Sequence, residues 1–426
     1  MEDLIIIGAG PSGYETAIKA AKNGLKTTII NDGPLGGVCL NEGCIPTKTF
    51  CHYAGKEAFE KVAERKDAVV KQLQNGVAYL LKDPNITVIE GYASLKDRYT
   101  VVVGDTEYQA KNIIIATGSK PAILPISGAD SEIVLTSKDV INLKELPESI
   151  CVIGGGVIGL EMACYLKKFG VDVTVLEYAP QILPNFDEDI SKRLKQSLTR
   201  QVIRIETSAQ VTAIDDEGVV TFEKKDQKYE VVCDNVLMAV GRKPNTEGLN
   251  LDTLGVIYDK KGIQVNENMQ SSIPNIYAIG DVNGQLMLAH IATYQEYRAI
   301  NHILDKKDRI RFDIVPAAVF TTPEIASVGL TEAQCEDEEL DYKTIKIPYS
   351  SIGKAVAMGE TEGFCKLIVE NKNNKIVGCH IMGLHASDLI QEVVTMMNLG
   401  VSIDDAQDII HAHPTLSEII QTAIHS

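Results

Sequence analysis

Leu4-Ile5-Ile6-Ile7-Gly8-Ala9-Gly10-Pro11-Ser12-Gly13 is an all-apolar run that breaks directly into a glycine-rich turn. The run predicts a buried strand. The glycines predict a tight turn into a helix that ends near Gly24, followed by a second strand over Lys26–Ile30. This is a βαβ unit, in which Gly8, Gly10 and Gly13 permit the turn and let a pyrophosphate approach the helix N-terminus. One position departs from the pattern. The second strand ends at Asn31, with Asp32 one place later, where an acidic side chain would accept from a ribose. Asn31 still offers its amide to a ribose hydroxyl, neutral and therefore weaker.

A second unit repeats the logic. Ile150–Ile153 is a strand, Gly154-Gly155-Gly156-Val157-Ile158-Gly159 a turn, and a helix follows from Leu160 to near Gly170. The next strand, Val171–Leu176, delivers Glu177, an acid placed to bind both ribose hydroxyls. A 2′-phosphate would be repelled there, and Tyr178, Ala179 and Pro180 include no arginine, so the cofactor of this unit is expected to be NAD rather than NADP. Between the units, Ile113–Ile115 is a buried strand that breaks at Ala116-Thr117-Gly118. After them the chain is expected to return to the first domain, with Gly241-Arg242-Lys243-Pro244-Asn245 closing the second unit and Ile276–Asp281 forming a strand that ends in an acid. From Phe312 the chain turns β-rich, then helical.

The fold class is α/β: two Rossmann-like dinucleotide-binding domains and an α+β C-terminal domain. Expected boundaries are 1–119, 120–241, 242–311 (the return segment) and 312–426. The 426 residues leave room for more than one core. With 58 acidic against 41 basic residues, a net charge of −17 argues against nucleic acid or anionic membranes as partners. No apolar run approaches about 18 residues, and Met1-Glu2-Asp3 leads straight into the first strand, so a cytoplasmic protein is expected.

Gly36-Gly37-Val38-Cys39-Leu40-Asn41-Glu42-Gly43-Cys44-Ile45-Pro46-Thr47-Lys48 carries two cysteines five residues apart. Five residues of regular helix rise about 7.5 Å, whereas a disulfide wants its Cα atoms roughly 4.4–6.8 Å apart. Joining Cys39 to Cys44 therefore requires a distorted helix. Gly43 and Pro46, which lacks the N–H that would bond back to Glu42, supply the distortion. Taken alone, the stretch suits a redox-active disulfide and a structural clip or pair of free thiols equally well. Thr49–Leu81 reads as one helix ended by Pro84, with apolar Phe59, Val62, Val69, Leu73, Val77 and Leu80 on its inner face.

The ordered set of motifs resembles the pyridine nucleotide-disulfide oxidoreductases, and within them the members that oxidise dihydrolipoyl groups. The set comprises a flavin-type glycine turn, Gly-Gly-x-Cys-(four residues)-Cys-x-Pro-x-Lys, Ala-Thr-Gly, an NAD-type turn, Gly-Arg-x-Pro-Asn, Gly-Asp, and His413-Pro414-Thr415-Leu416-Ser417-Glu418. The resemblance covers Leu4 to Ile420. It implies FAD for residues 1–119, NAD for 120–241, a dimerisation interface for 312–426 and a redox-active Cys39–Cys44 disulfide. FAD would lie on Gly8, Gly10, Gly13, Asn31, Gly37, Lys48, Ala116, Thr117, Gly118, Asp281 and Ala289. NAD would lie on Gly154, Gly156, Gly159, Glu177 and Gly241. Lys48 would pair with Glu161 near the flavin. The family's head-to-tail homodimers would bring His413 and Glu418 to the cysteine pair of the other subunit, with a lipoylated protein as substrate. Asn31 implies weaker adenosine binding, and a short Lys48–Pro84 segment puts any partner surface there in question.

A glutathione-type reductase shares the scaffold but usually takes NADPH, which Glu177 disfavours. Mercuric reductase needs a C-terminal cysteine pair, and the last cysteine here is Cys379. A low-turnover flavin redox sensor is disfavoured by the intact catalytic residues. No metal site is expected, since neither a cysteine nor a third histidine accompanies His411 and His413.

Overall fold

The computed structural model describes residues 1–426. Glu2–Ile7 lies between Thr27–Asn31 and the long strand Thr106–Ile115, parallel to both. Ile86–Glu90 extends this sheet beyond Thr27–Asn31. Ile276–Ala278 returns to pair in parallel with Ile113–Ile115. A strand buried on both faces needs apolar side chains on both, and Leu4, Ile5 and Ile6 are each fully buried.

The second sheet is built alike: Arg204–Thr207, Asp172–Glu177, Ser149–Ile153, Asn235–Met238 and Val134–Leu135 run in that order, all parallel. Two short strands, Ser119–Pro121 and Arg242–Pro244, pair antiparallel where the chain passes between the two sheets. The last part is a five-stranded antiparallel sheet from Ala317–Val319 to Lys375–Met382, backed by the helix Ala386–Leu399.

Each glycine turn is packed to the limit. At Gly8, φ is +105° and a Cβ would sit 2.3 Å from the Ala116 carbonyl oxygen; at Gly154, φ is +113° and the Ala239 oxygen would be 2.4 Å away. Gly13 and Gly159 would each drive a Cβ into the oxygen of the first glycine of their own turn, at 2.0 and 2.1 Å. Gly13→Ala is therefore expected to cost about 1–3 kcal/mol and to lower flavin retention. Unfolding midpoint and bound-flavin absorbance check this, and wild-type values for both would refute it.

The predicted helix Thr49–Leu81 is two helices, Cys44–Tyr53 and Phe59–Leu80, separated by a turn at Gly55 with φ +77°. The physical reason is aromatic packing. Nine residues along a helix put Phe50 and Phe59 about 13.5 Å apart, but their rings stack at 5.8 Å, and Phe50 also stacks on Tyr165 at 5.2 Å. Of the predicted inner face, Phe59, Val62 and Val77 are buried, while Leu73 and Leu80 are 39% and 52% exposed.

A buried lysine ties the second unit to the last sheet. The Lys366 ammonium donates to Asp187 Oδ1 at 2.9 Å, to Asp189 Oδ2 at 3.0 Å and to Glu332. The three acids come close enough together to suit a cation, and the ammonium occupies that role.

Candidate active site

The cysteine pair sits at a helix break. Gly37–Glu42 and Cys44–Tyr53 are separate helices, divided at Gly43 with φ −137° and ψ −108°. The distortion expected from Gly43 and Pro46 is present, and the helix resumes with Thr47 N donating to Gly43 O at 3.0 Å. When the pair is reduced, the Cys39 thiol is placed to hydrogen-bond to Cys44. That bond is the main cause lowering Cys44 to about 7, against the opposing effect of burial and with further help from the Lys48 charge. The same bond, with burial, pushes Cys39 up. One sulfur is thus prepared to be a thiolate and the other to remain a thiol.

Lys48 lies one helical turn beyond Cys44 and donates to Glu161 Oε2 at 2.8 Å. Burial works against its charge, but Glu161 outweighs burial and holds the ammonium above its ordinary pKa. Glu161 is 3% exposed and its other oxygen accepts from Phe320 N at 2.9 Å. Residues from all three parts of the fold therefore meet behind Cys44.

A cavity of about 1930 Å³ opens in front of the pair. Gly8, Gly10, Asn31, Gly37, Lys48, Ala116, Thr117, Gly118, Asp281 and Ala289 line it, as do Gly154, Gly156, Glu177 and Gly241. Gly13 and Gly159 do not; their role is the packing of each turn.

Two features show that this space suits dinucleotides. Nothing lies within 4 Å of where a Cβ of Gly10 or Gly156 would be, so these glycines leave room for a ligand. The helices Pro11–Lys22 and Val157–Lys168 have no side-chain cap, so their first N–H groups face that room without a side-chain partner. Gly37 behaves otherwise. Its Cβ would strike Gly10 Cα at 2.6 Å, so its absent side chain brings two loops together rather than admitting cofactor directly.

At the strand ends, Glu177 Oε2 accepts from Gly155 N at 2.6 Å and Oε1 from Ala179 N at 2.7 Å. Asn31 Oδ1 accepts from Ala9 N at 2.9 Å. Asp281 lies in the short turn Gly280–Asn283, where Ser119 Oγ donates to it. Ser119 in turn accepts from Arg242, at 2.7 Å to both its hydroxyl and its carbonyl oxygen. Arg242 feels the Cys44 charge as well as that of Asp281. Sequence reading left Arg242 and Ser119 out of the site; the Gly241-Arg242-Lys243-Pro244-Asn245 motif was their signal.

His413 and Glu418 form their own pair, Nδ1 to Oε1 at 2.8 Å, and Thr415 N donates to Glu418 Oε2 at 2.8 Å. The hydrogen bond from His413 is the main cause holding the Glu418 carboxyl below its usual range. The His413 side chain is 78% exposed and does not line the cavity that holds the cysteines of its own chain. His411 is instead tied to Glu392 Oε1 at 2.6 Å.

Residues 2–295 match the family described as pyridine nucleotide-disulphide oxidoreductase, and residues 315–424 match its dimerisation domain. The dihydrolipoyl dehydrogenase of Chlamydia muridarum is 39% identical over 98% of this chain and 95% of its own length; that of Bacillus subtilis is 37% identical over 99% and 98%. Among solved structures, the HOCl-induced flavoprotein disulfide reductase RclA from Escherichia coli superposes with a TM-score of 0.93 at 32% identity, covering 99% of both chains. LpdA from Mycobacterium tuberculosis superposes with a TM-score of 0.91 at 27% identity, over 100% of this chain and 99% of that one.

Proposed function

The chain belongs to the pyridine nucleotide-disulphide oxidoreductase family, and from that premise we propose that it oxidises protein-bound dihydrolipoyl groups to lipoyl disulfides while reducing NAD⁺. It is an NAD-dependent disulfide oxidoreductase with FAD and NAD(H) as cofactors. Its dimerisation domain supports a homodimer. No helix is long and apolar enough to cross a membrane. The domain limits 1–119, 120–241, 242–311 and 312–426 and a cytoplasmic setting belong to this reading.

The observation that carries it is the exposed His413–Glu418 pair, oriented for proton transfer yet outside its own chain's cavity. A second copy supplies the cysteine pair that this base serves. With Nδ1 donating to Glu418, Nε2 of His413 is left as the base. It takes the proton from one substrate thiol, and the resulting thiolate attacks Cys39 of the disulfide form. Cys44 leaves, because the sulfur with the lower pKa is the better leaving group and Lys48 stabilises the charge it acquires. The second substrate thiol then displaces Cys39, releasing the lipoyl disulfide and leaving the enzyme pair reduced. When bound, FAD and NAD⁺ supply the two-electron relay that returns the pair to its disulfide. Glu161 holds Lys48 at its post throughout.

The reading is tested by assaying NAD⁺ reduction side by side with dihydrolipoamide, glutathione and coenzyme A thiols. Dihydrolipoamide is expected to be the substrate oxidised, and glutathione turnover at an equal rate would overturn the assignment. In the same assay NAD⁺ is expected to be preferred over NADP⁺, since the Glu177 carboxylate ends the second strand of its unit, where it would repel a 2′-phosphate on the adenosine ribose. Equal use of both would refute that role of Glu177.

A further inference from the structure

The two dinucleotide units act as controls for one another at the residue that ends the second strand of each. In the NAD unit, Glu177 does two things with one carboxylate. It braces the glycine turn by accepting from Gly155 N at 2.6 Å, and it leaves a full negative charge at the edge of the cavity. In the FAD unit, Asn31 makes the matching brace, accepting from Ala9 N at 2.9 Å. Its amide nitrogen donates to the Gly33 carbonyl. Turn geometry is thereby preserved without the charge.

A ribose presents two neighbouring hydroxyl donors. A carboxylate has two anionic oxygens and spare lone pairs on both, whereas Asn31 has one neutral oxygen, already accepting one bond. Asp32 follows outside the strand and is exposed; it reaches the edge of the same cavity but makes no hydrogen bond to the glycine turn, so it does not share the bracing role of Asn31. The rest of the FAD cradle is intact, including the open space at Gly10 and the uncapped helix start.

We infer that Asn31 makes FAD a dissociable ligand of this chain, because it retains the loop-bracing half of the usual acid's role and gives up the charge-assisted half at the adenosine ribose. Occupancy then follows the free FAD concentration, and thermal stability rises with added FAD. The inference rests on the assignment of the first unit to FAD.

Charge-assisted hydrogen bonds are roughly twice as strong as neutral ones. Asn31→Glu is therefore expected to slow FAD release about tenfold, the change that corresponds to about 1.4 kcal/mol. The experiment dilutes flavin-loaded protein and follows the rise in fluorescence as FAD is freed, a readout independent of turnover. Asn31→Asp is the second variant and is expected to change release in the same direction. Asp32→Asn is expected to leave the release rate unchanged. The mirror substitution, Glu177→Gln, is expected to weaken NADH binding about tenfold in a fluorescence titration.

Release from Asn31→Glu and Asn31→Asp at the wild-type rate or faster would overturn the inference. Faster release from Asp32→Asn would overturn it too, since Asp32 would then hold the ribose. A wild-type chain that binds no FAD at all would instead overturn the assignment of the first unit, which separates the two failures.

Discussion

Changing His413 to Gln is expected to cut dihydrolipoamide oxidation by about 10²- to 10⁴-fold, the usual contribution of a positioned general base. NADH-driven reduction of an artificial acceptor is expected to continue at close to the wild-type rate. The split follows from where the residue stands. His413 is 78% exposed and outside its own chain's cofactor cavity, so the glycine turns, Glu177 and the Lys48–Glu161 pair are untouched by the change. Proton removal from the substrate thiol is lost, because glutamine has no lone pair basic enough to take it at neutral pH. Glu418 remains in place, still bonded to Thr415 N. Steady-state rates with the two substrate pairs check the expectation. Equal loss of both activities would show that His413 maintains the fold or the cofactor rather than acting as the thiol base.

Cys39→Ala is expected to abolish dihydrolipoamide oxidation, by about 10³-fold or more on the scale seen when a covalent nucleophile is removed. It also tests how the two sulfurs divide the work. The hydrogen bond from Cys39 is the main cause of the lowered Cys44 pKa, and Lys48 is a smaller one. Without Cys39, burial becomes the largest remaining influence and outweighs the Lys48 charge, so the midpoint for alkylation of Cys44 is expected to rise from about 7 to at least the ordinary thiol value. The sign is direct: below the midpoint the thiol predominates and reacts slowly, so a raised midpoint means slower alkylation at pH 7. Mass-spectrometric rates across pH measure this. A midpoint that stays put or falls would assign the thiolate's stability to Lys48 rather than to Cys39.

The amino-acid sequence by itself determined the parts of the molecule governed by local geometry. A run of apolar residues ending in Gly8 and Gly13 has one economical solution, a buried parallel strand turning into a helix, because no other residue fits against the Gly8 and Ala116 oxygens. The same held for Gly154 and Gly159, and for the helix break at Gly43 between the two cysteines. Asn31 could be picked out as a departure because the ribose acid has a definite place at the end of the second strand. His413 and Glu418, five residues apart, could pair through local chain geometry alone.

Only the tertiary structure decided matters that depend on residues distant along the chain. The break between Tyr53 and Phe59 is set by Phe50 stacking on both Phe59 and Tyr165, contacts that no helical periodicity contains. Gly37 proved to serve loop-to-loop packing against Gly10, which its sequence neighbours do not reveal. The network joining Arg242, Ser119 and Asp281 near Cys44 spans the two units, and the buried Lys366 gathers acids from the starts of two helices. That Asn31 still braces the turn also required the fold, since a hydrogen bond to Ala9 N across 22 residues exists only once the strands are in register. The physical reason is common to all of these. Local sequence restricts backbone angles, whereas side-chain partnership is settled by packing among segments that meet only when the chain has folded.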